Sequence, residues 1–240
     1  MTTRTTDAAA PTKPEVTLVV FDMAGTTVED SGLVERSFQA ADRYAGLSKT
    51  PEDQARMMQY VSDTMGQSKI VVFRHLSGGH EEQAQAANKE FERCYAELVE
   101  DGNCSAIPGA VDVITRLRER GIKTALTTGF AHTTQTAIIT ALGWEDLADV
   151  VLCPDGGLRG RPHPDMPLAA LMRTGTESVQ SMVVLGDTAS DVTSGLRAGA
   201  RASIGVLTGA HDAAQLSAAG ATHILDSVAD LPRLLLSMRS

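Results

Sequence analysis

An aspartate that closes a short apolar run is the first residue in this sequence equipped for chemistry. Asp22 follows Val16 to Phe21 (VTLVVF) and precedes Met23-Ala24-Gly25-Thr26. Thr128-Gly129 comes directly after Lys123 to Thr127 (KTALT), and Asp187 follows the run Met182 to Leu185 and Gly186, with Asp191 one helical turn further on. Carboxylates suit nucleophilic attack or the binding of a hard cation, while a hydroxyl and glycine-exposed amides suit an oxyanion. Acids crowded into one place repel, so their convergence calls for a cation among them. Oxygen ligands beside an anionic substrate favour magnesium, which keeps waters and takes few protein carboxylates.

These residues meet only if the fold collects the ends of the apolar runs. The runs are short, continuous and valine-rich, the pattern of strands covered on both faces of a parallel sheet. Val150 to Leu152, Ala202 to Val206 and Thr222 to Leu225 read as further strands. Between them, Val111 to Arg120, Thr133 to Leu142, Leu168 to Arg173 and Asp191 to Ala198 carry apolar residues at helical spacing and stop at or near glycine, which supplies a left-handed cap. Strand–helix alternation predicts an α/β class: an open Rossmann-like parallel sheet with right-handed crossovers, whose ligands bind at the carboxyl ends of the strands. The segment 33–105 breaks that rhythm. It offers four helical patterns, Leu33 to Tyr44, Pro51 to Val61, Lys69 to Leu76 and Glu81 to Glu100, and no buried strand. The predicted organisation is a disordered leader over 1–14, an α/β core made of 15–32 and 106–240, and an inserted helical cap over 33–105.

Composition narrows the function classes. With 42% hydrophobic and 21% charged residues the chain can bury a sizeable core. A net charge of −9 argues against nucleic acid or an anionic membrane as partner. No apolar run approaches the roughly 20 residues that span a bilayer. Cys94, Cys104 and Cys153 match neither a zinc motif nor a disulfide framework and read as reduced thiols of a cytoplasmic protein. His132, His163 and His211 read as rim or loop histidines, and Met57, Met58 and Met65 as packing within the cap.

Asp22-Met23-Ala24-Gly25-Thr26 resembles the nucleophile motif of the haloacid dehalogenase superfamily, and other motifs follow in that superfamily's order. Thr128 matches its second-strand Ser/Thr, Arg161 in Gly160-Arg161-Pro162 its Lys/Arg position, and Gly186-Asp187-Thr188-Ala189-Ser190-Asp191 its acidic motif. The helices sit at the insertion point of a type C1 cap. The resemblance implies that Asp22 attacks phosphorus and forms an aspartyl-phosphate, and that Thr128, the Gly129 amide and Arg161 hold the phosphoryl oxygens. It also implies that magnesium is held by Asp22, the carbonyl of Ala24 and Asp187, with Asp191 nearby.

Ala24 departs from the superfamily's phosphatases, which place a second aspartate there as general acid to the leaving oxygen. Asp-x-Ala-Gly-Thr is similar to phosphonoacetaldehyde hydrolases, or phosphonatases, whose cap carries Met-Gly-x-x-Lys with a lysine that forms a Schiff base. Met65-Gly66-Gln67-Ser68-Lys69 matches that motif. The resemblance thus implies Lys69 as a second catalytic residue, substrate contacts at Gly25, Thr26, Met65, Gly66 and Gly129, and a homodimer paired through the cap. Two positions differ: the histidine three residues after the lysine is here Val72, with His75 one turn on, and the tyrosine after Thr-Thr-Gly is Phe130. Three functions stay open: a phosphonatase-like hydrolase of a small phosphonate, a phosphomonoesterase, and a non-catalytic phosphometabolite-binding protein.

Overall fold

In the computed structural model, residues 15–238 are described, so the leader read over 1–14 lies outside the described residues. The chain enters the core through β1 (Leu18–Asp22), buried at every position. Four helices follow, α1 (Leu33–Ala45), α2 (Pro51–Asp63), α3 (Lys69–Leu76) and α4 (Glu81–Glu100). Then come α5 (Ala110–Glu119), β2 (Lys123–Thr127), α6 (His132–Leu142), β3 (Val150–Leu152), α7 (Asp165–Thr174), β4 (Met182–Gly186), α8 (Ala189–Arg197), β5 (Ala202–Val206), α9 (Ala213–Ala218), β6 (His223–Leu225) and α10 (Leu231–Ser237).

The six strands form one parallel sheet in the order β3-β2-β1-β4-β5-β6. The chain steps outward from β1 to β2 and β3, then crosses back to lay β4 on the other side of β1. Such a reversal opens a crevice at the carboxyl ends of the strands. Register places Asp22 beside Thr127 and Phe21 beside Leu185, so the ends of β1, β2 and β4 are level. Side chains alternate across the sheet: Val19, Phe21, Leu126, Val183 and Leu185 enter one apolar cluster, while Leu18, Val20, Ala125, Met182 and Val184 enter the other.

The inserted helices pack on one another through apolar faces that join the cluster on one side of the sheet. On α4 the fully buried Ala84, Ala87, Phe91 and Tyr95 recur every three or four residues, and α1 answers with Leu33, Val34, Phe38 and Ala41. Phe38 packs at 4.9 Å from both Phe73 and Phe91, and Tyr95 at 4.7 Å from Phe130, which belongs to the loop after β2. Cap and core therefore share one aromatic cluster. Each such ring contributes roughly 1.5–3 kcal/mol through burial. The start of α2 is fixed by a capping box between Thr50 and Asp53 with Pro51 in the first turn.

Two readings needed adjustment. Helix α7 begins at Asp165 and not at Leu168, because Pro167 falls in the first turn, where a missing N–H costs nothing. Helices α9 and α10 carry no sequence signal strong enough to read: one is six residues long, and the other opens on Leu231-Pro232. Among the described residues, no helix is long and apolar enough to cross a membrane.

Candidate active site

The carboxyl end of β1 delivers Asp22, 5% exposed, into the crevice. The chain turns at once, since the Met23 carbonyl accepts the amides of Thr26, Thr27 and Val28. Gly25 makes this turn practicable: its φ is +84°, and a Cβ there would collide with the Asp187 carboxylate. Burial pushes the Asp22 carboxyl up to about 7; Arg161 opposes that shift and Asp187 adds to it.

Arg161 is the cation of the cluster. Its Nη2 lies 2.5 Å from Asp22 Oδ1 and 3.2 Å from Thr127 Oγ1, and its Nη1 lies 2.8 Å from Asp191 Oδ1. Burial works against the guanidinium charge, but Asp191 and Asp22 more than offset it. Asp191 is set by the first turn of α8, where Thr188 donates both its amide and its hydroxyl to Oδ2, at 3.1 and 2.5 Å. Asp187, at the end of β4, accepts the Ala210 amide at 2.8 Å and the Thr26 hydroxyl at 3.4 Å. Burial raises the carboxyls of both Asp187 and Asp191.

Thr128 and Gly129 close the side facing β2. The Thr128 hydroxyl oxygen accepts the Phe130 amide at 3.2 Å, which leaves its proton to donate elsewhere. A Cβ on Gly129 would meet the carbonyl oxygens of Gln67 and Gly66 at 2.6 and 2.7 Å. The loop between α2 and α3 thus rests directly on the core, and Arg161 Nη1 reaches the Gly66 carbonyl at 3.4 Å.

That contact brings Lys69, the first residue of α3, over the crevice. The side chain is 6% exposed, with Nζ at 5.3, 5.7 and 5.9 Å from the ring centres of Phe130, Phe38 and Phe91. Among the described residues, Nζ has no hydrogen bond or ion pair. Burial pulls its pKa down to about 8, with Asp30 the strongest charge holding it up. A cavity of about 300 Å³ joins Lys69, Met65 and Phe130 to Asp22, Thr128 and Asp187. Ala24, Gly25, Gly66, Gly129 and Arg161 also line it, whereas Thr26 and Asp191 lie behind its wall.

Residues 16–199 match the family model of haloacid dehalogenase-like hydrolases. The chain belongs to that family. As a haloacid dehalogenase-like hydrolase it is an enzyme, and its sheet order places the family's motifs on one crevice. It is 29% identical over 217 residues to a protein of Dickeya dadantii named as a phosphatase, covering 89% of this chain and 91% of that one. It is also 29% identical over 210 residues to a phosphonoacetaldehyde hydrolase of Bacillus cereus, covering 82% and 78% of the two chains. The crystal structure of a phosphonoacetaldehyde hydrolase-like protein from Oleispira antarctica superposes with a TM-score of 0.81 at 22% identity, covering 98% of this chain and 97% of that one, a likeness of fold.

The donor chemistry of this hydrolase fits a hard divalent cation. One oxygen from each of Asp22, Asp187 and Asp191 lies within 4.8 Å of the others, all three side chains are buried, and among the described residues Arg161 alone pairs with two of them. Oxygen-only ligands of this charge suit magnesium.

Sequence reasoning missed three participants. Thr127 supports Arg161 from the last position of β2. Asp30 lines the same cavity as Asp22 without belonging to any motif. His211, read as a loop histidine, is 5% exposed; its Nδ1 accepts the Ala189 amide at 2.9 Å while Nε2 lies 3.4 Å from the Ser62 carbonyl of α2. His75 is exposed and stacks on Tyr60 at 4.0 Å, lining a different pocket, so it does not take the place that Val72 leaves empty. His132 is exposed and stands outside the cavity.

Proposed function

We propose that this enzyme hydrolyses a C–P bond in a small phosphonate that carries a carbonyl group, with Asp22 as nucleophile and Lys69 as the amine that activates the carbon side. The supporting observation is the pairing of an absence with a presence: Ala24 cannot transfer a proton, and Lys69 presents to the same cavity a buried amine with no hydrogen bond or ion pair among the described residues. Breaking a C–P bond requires somewhere for the carbon's electrons to go. An iminium at Lys69 accepts them and the fragment leaves as an enamine, so no acid is needed at position 24.

Asp22 forms the O–P bond of an aspartyl-phosphate as the C–P bond breaks. Water then releases phosphate from Asp22, and water also releases the dephosphonated carbonyl compound from Lys69. Arg161, Thr128 and the Gly129 amide orient the phosphoryl oxygens, so that positioning and electrostatics supply most of the rate. Asp22, Asp187 and the Ala24 carbonyl, with Asp191 beside them, would hold magnesium, which would supply positive charge between two anions that otherwise repel.

A second reading, a phosphomonoesterase, is favoured by the phosphatase name of the Dickeya dadantii relative. The two separate in one experiment: phosphate release from phosphonoacetaldehyde and from a panel of sugar and glycolyl phosphates, with wild type and Lys69→Ala. The C–P reading expects phosphate from the phosphonate, an adduct at Lys69 trapped by borohydride, and both lost in Lys69→Ala. Turnover of esters alone, or full turnover of the phosphonate by Lys69→Ala, sinks it.

A further inference from the structure

Imine formation moves protons as well as electrons, and Val72 leaves the Lys69 amine without the neighbour on α3 that could move them. Val72 is 2% exposed within the cap core, and His75 faces another pocket. A proton carrier must therefore come from the other walls of the cavity. Asp22 and Asp187 are committed to Arg161 and to the Ala210 and Thr26 donors. Glu35 is exposed at the mouth. One half-buried carboxylate remains, that of Asp30, in the turn between β1 and α1.

We infer that Asp30 is the proton-transfer partner of Lys69, taking the role that the chain's own cap helix does not fill. The inference rests on the reading of Lys69 as an amine nucleophile. Asp30 is held in place from one side only: Oδ1 accepts the Val34 amide at 3.1 Å, and this is the carboxylate's single hydrogen bond among the described residues. The turn that carries it is tightly defined, with the Asp30 carbonyl accepting the Leu33 amide at 2.7 Å and positive φ values of 38° at Ser31 and 76° at Gly32. The surroundings agree with a carboxyl that changes protonation. Burial raises its pKa, the Val34 amide and Lys69 oppose that rise, and Glu35 adds to it. Burial and, after it, the Asp30 charge raise the pKa of Tyr95, whose buried hydroxyl has no partner among the described residues.

The step balances with Lys69 as the free amine and Asp30 as the carboxylate. Nζ and Asp30 form no ion pair among the described residues, so the transfers belong to the substrate complex, where such contacts tighten. The amine attacks the carbonyl carbon, forming the C–N bond while the C=O π pair moves to oxygen. Asp30 takes one proton from the nitrogen and hands it to that oxygen, then takes the second and hands it on as the C–O bond breaks. The oxygen leaves as water and the nitrogen pair closes C=N. Amine plus aldehyde thus becomes imine plus water, Asp30 ends as the carboxylate it began as, and a proton from solvent turns the imine into the iminium.

The test measures the rate of cyanoborohydride trapping with phosphonoacetaldehyde and magnesium in wild type, Asp30→Asn, Asp30→Ser and Asp30→Glu. Asn and Ser both keep an oxygen to accept the Val34 amide but cannot carry the proton, so either serves if the other does not fold. Compared on the alkaline plateau, where Lys69 is amine in every variant, trapping should fall about 10²-fold in Asn and Ser and recover in Glu. The pH midpoint of trapping should also move down in Asn and Ser, because the carboxylate charge that supports the Lys69 ammonium is gone. Equal plateau rates in wild type and Asn, or equal losses in Asn and Glu, overturn the role of Asp30 alone. No adduct in wild type overturns the Lys69 reading and this inference with it.

Discussion

Arg161 Nη2 stands 2.5 Å from Asp22 Oδ1, so the proposed nucleophile is held by the same group proposed to receive the phosphoryl oxygens. The guanidinium also reaches Asp191 at 2.8 Å through its other terminal nitrogen. A planar fork meets both carboxylates at once; a lysine is a point charge on a flexible stem and cannot. Arg161→Lys should therefore lower kcat by about 10²-fold while the fold persists. Steady-state phosphate release beside a thermal melt checks this, and unchanged kcat would count against the assignment.

Lys69 gives the site its pH signature. Its pKa is lowered to about 8, chiefly by burial, with Asp30 the largest opposing charge. The amine is the reactive form, so the trapping rate should climb about tenfold per pH unit below about pH 8 and level off above it. The measurement is cyanoborohydride adduct formation from about pH 6 to about pH 9. A rate still climbing at the upper end would mean an ordinary exposed lysine.

The contact between cap and core can be tested at a single atom. A methyl group on Gly129 would lie 2.6 Å from the Gln67 carbonyl oxygen and 2.7 Å from that of Gly66, both backbone atoms with little room to shift. Gly129→Ala should push the 65–68 loop and Lys69 off the crevice. The expected outcome is a loss of kcat of at least about 10²-fold with a melting temperature close to wild type.

Phe91 ties together Phe38, Phe73, Tyr95 and Phe130 at centroid distances of 4.9 to 6.2 Å. Truncation to alanine leaves a large cavity in the cluster and should cost about 3–5 kcal/mol in denaturant unfolding. Because the same ring lies under Lys69 Nζ, the lysine's pH midpoint should rise as water enters.

Metal removal tests the acidic cluster. Chelation should abolish phosphate release, and magnesium should restore it, with Asp187→Asn failing to recover at the same concentration. Asp187 is the informative position because, among the described residues, its carboxylate makes no ion pair and accepts the Ala210 amide and the Thr26 hydroxyl. Full activity in chelator would remove the cation from the account.

The strand ends were legible because a covered parallel strand is written locally: valine-rich runs stop at the residues that turn out to be level, Asp22 beside Thr127. The inserted helices were legible for the same reason, their apolar spacing marking one buried face. Asp30 and His211 were not. Neither sits in a motif, and each gains its meaning from a distant segment: Asp30 from Lys69 on α3, His211 from Ala189 and Ser62. Phe130 is the intermediate case. As a letter it was only a missing tyrosine; in place it is a wall of the aromatic enclosure around an amine.

The space beside Met65 and Gly66, about 300 Å³, lies at the small end of ligand pockets, which run to roughly 1,000 Å³. Under the proposed function, that room suits a phosphoryl group with a short carbon tail, so the size of the tail is the first thing the site would sort.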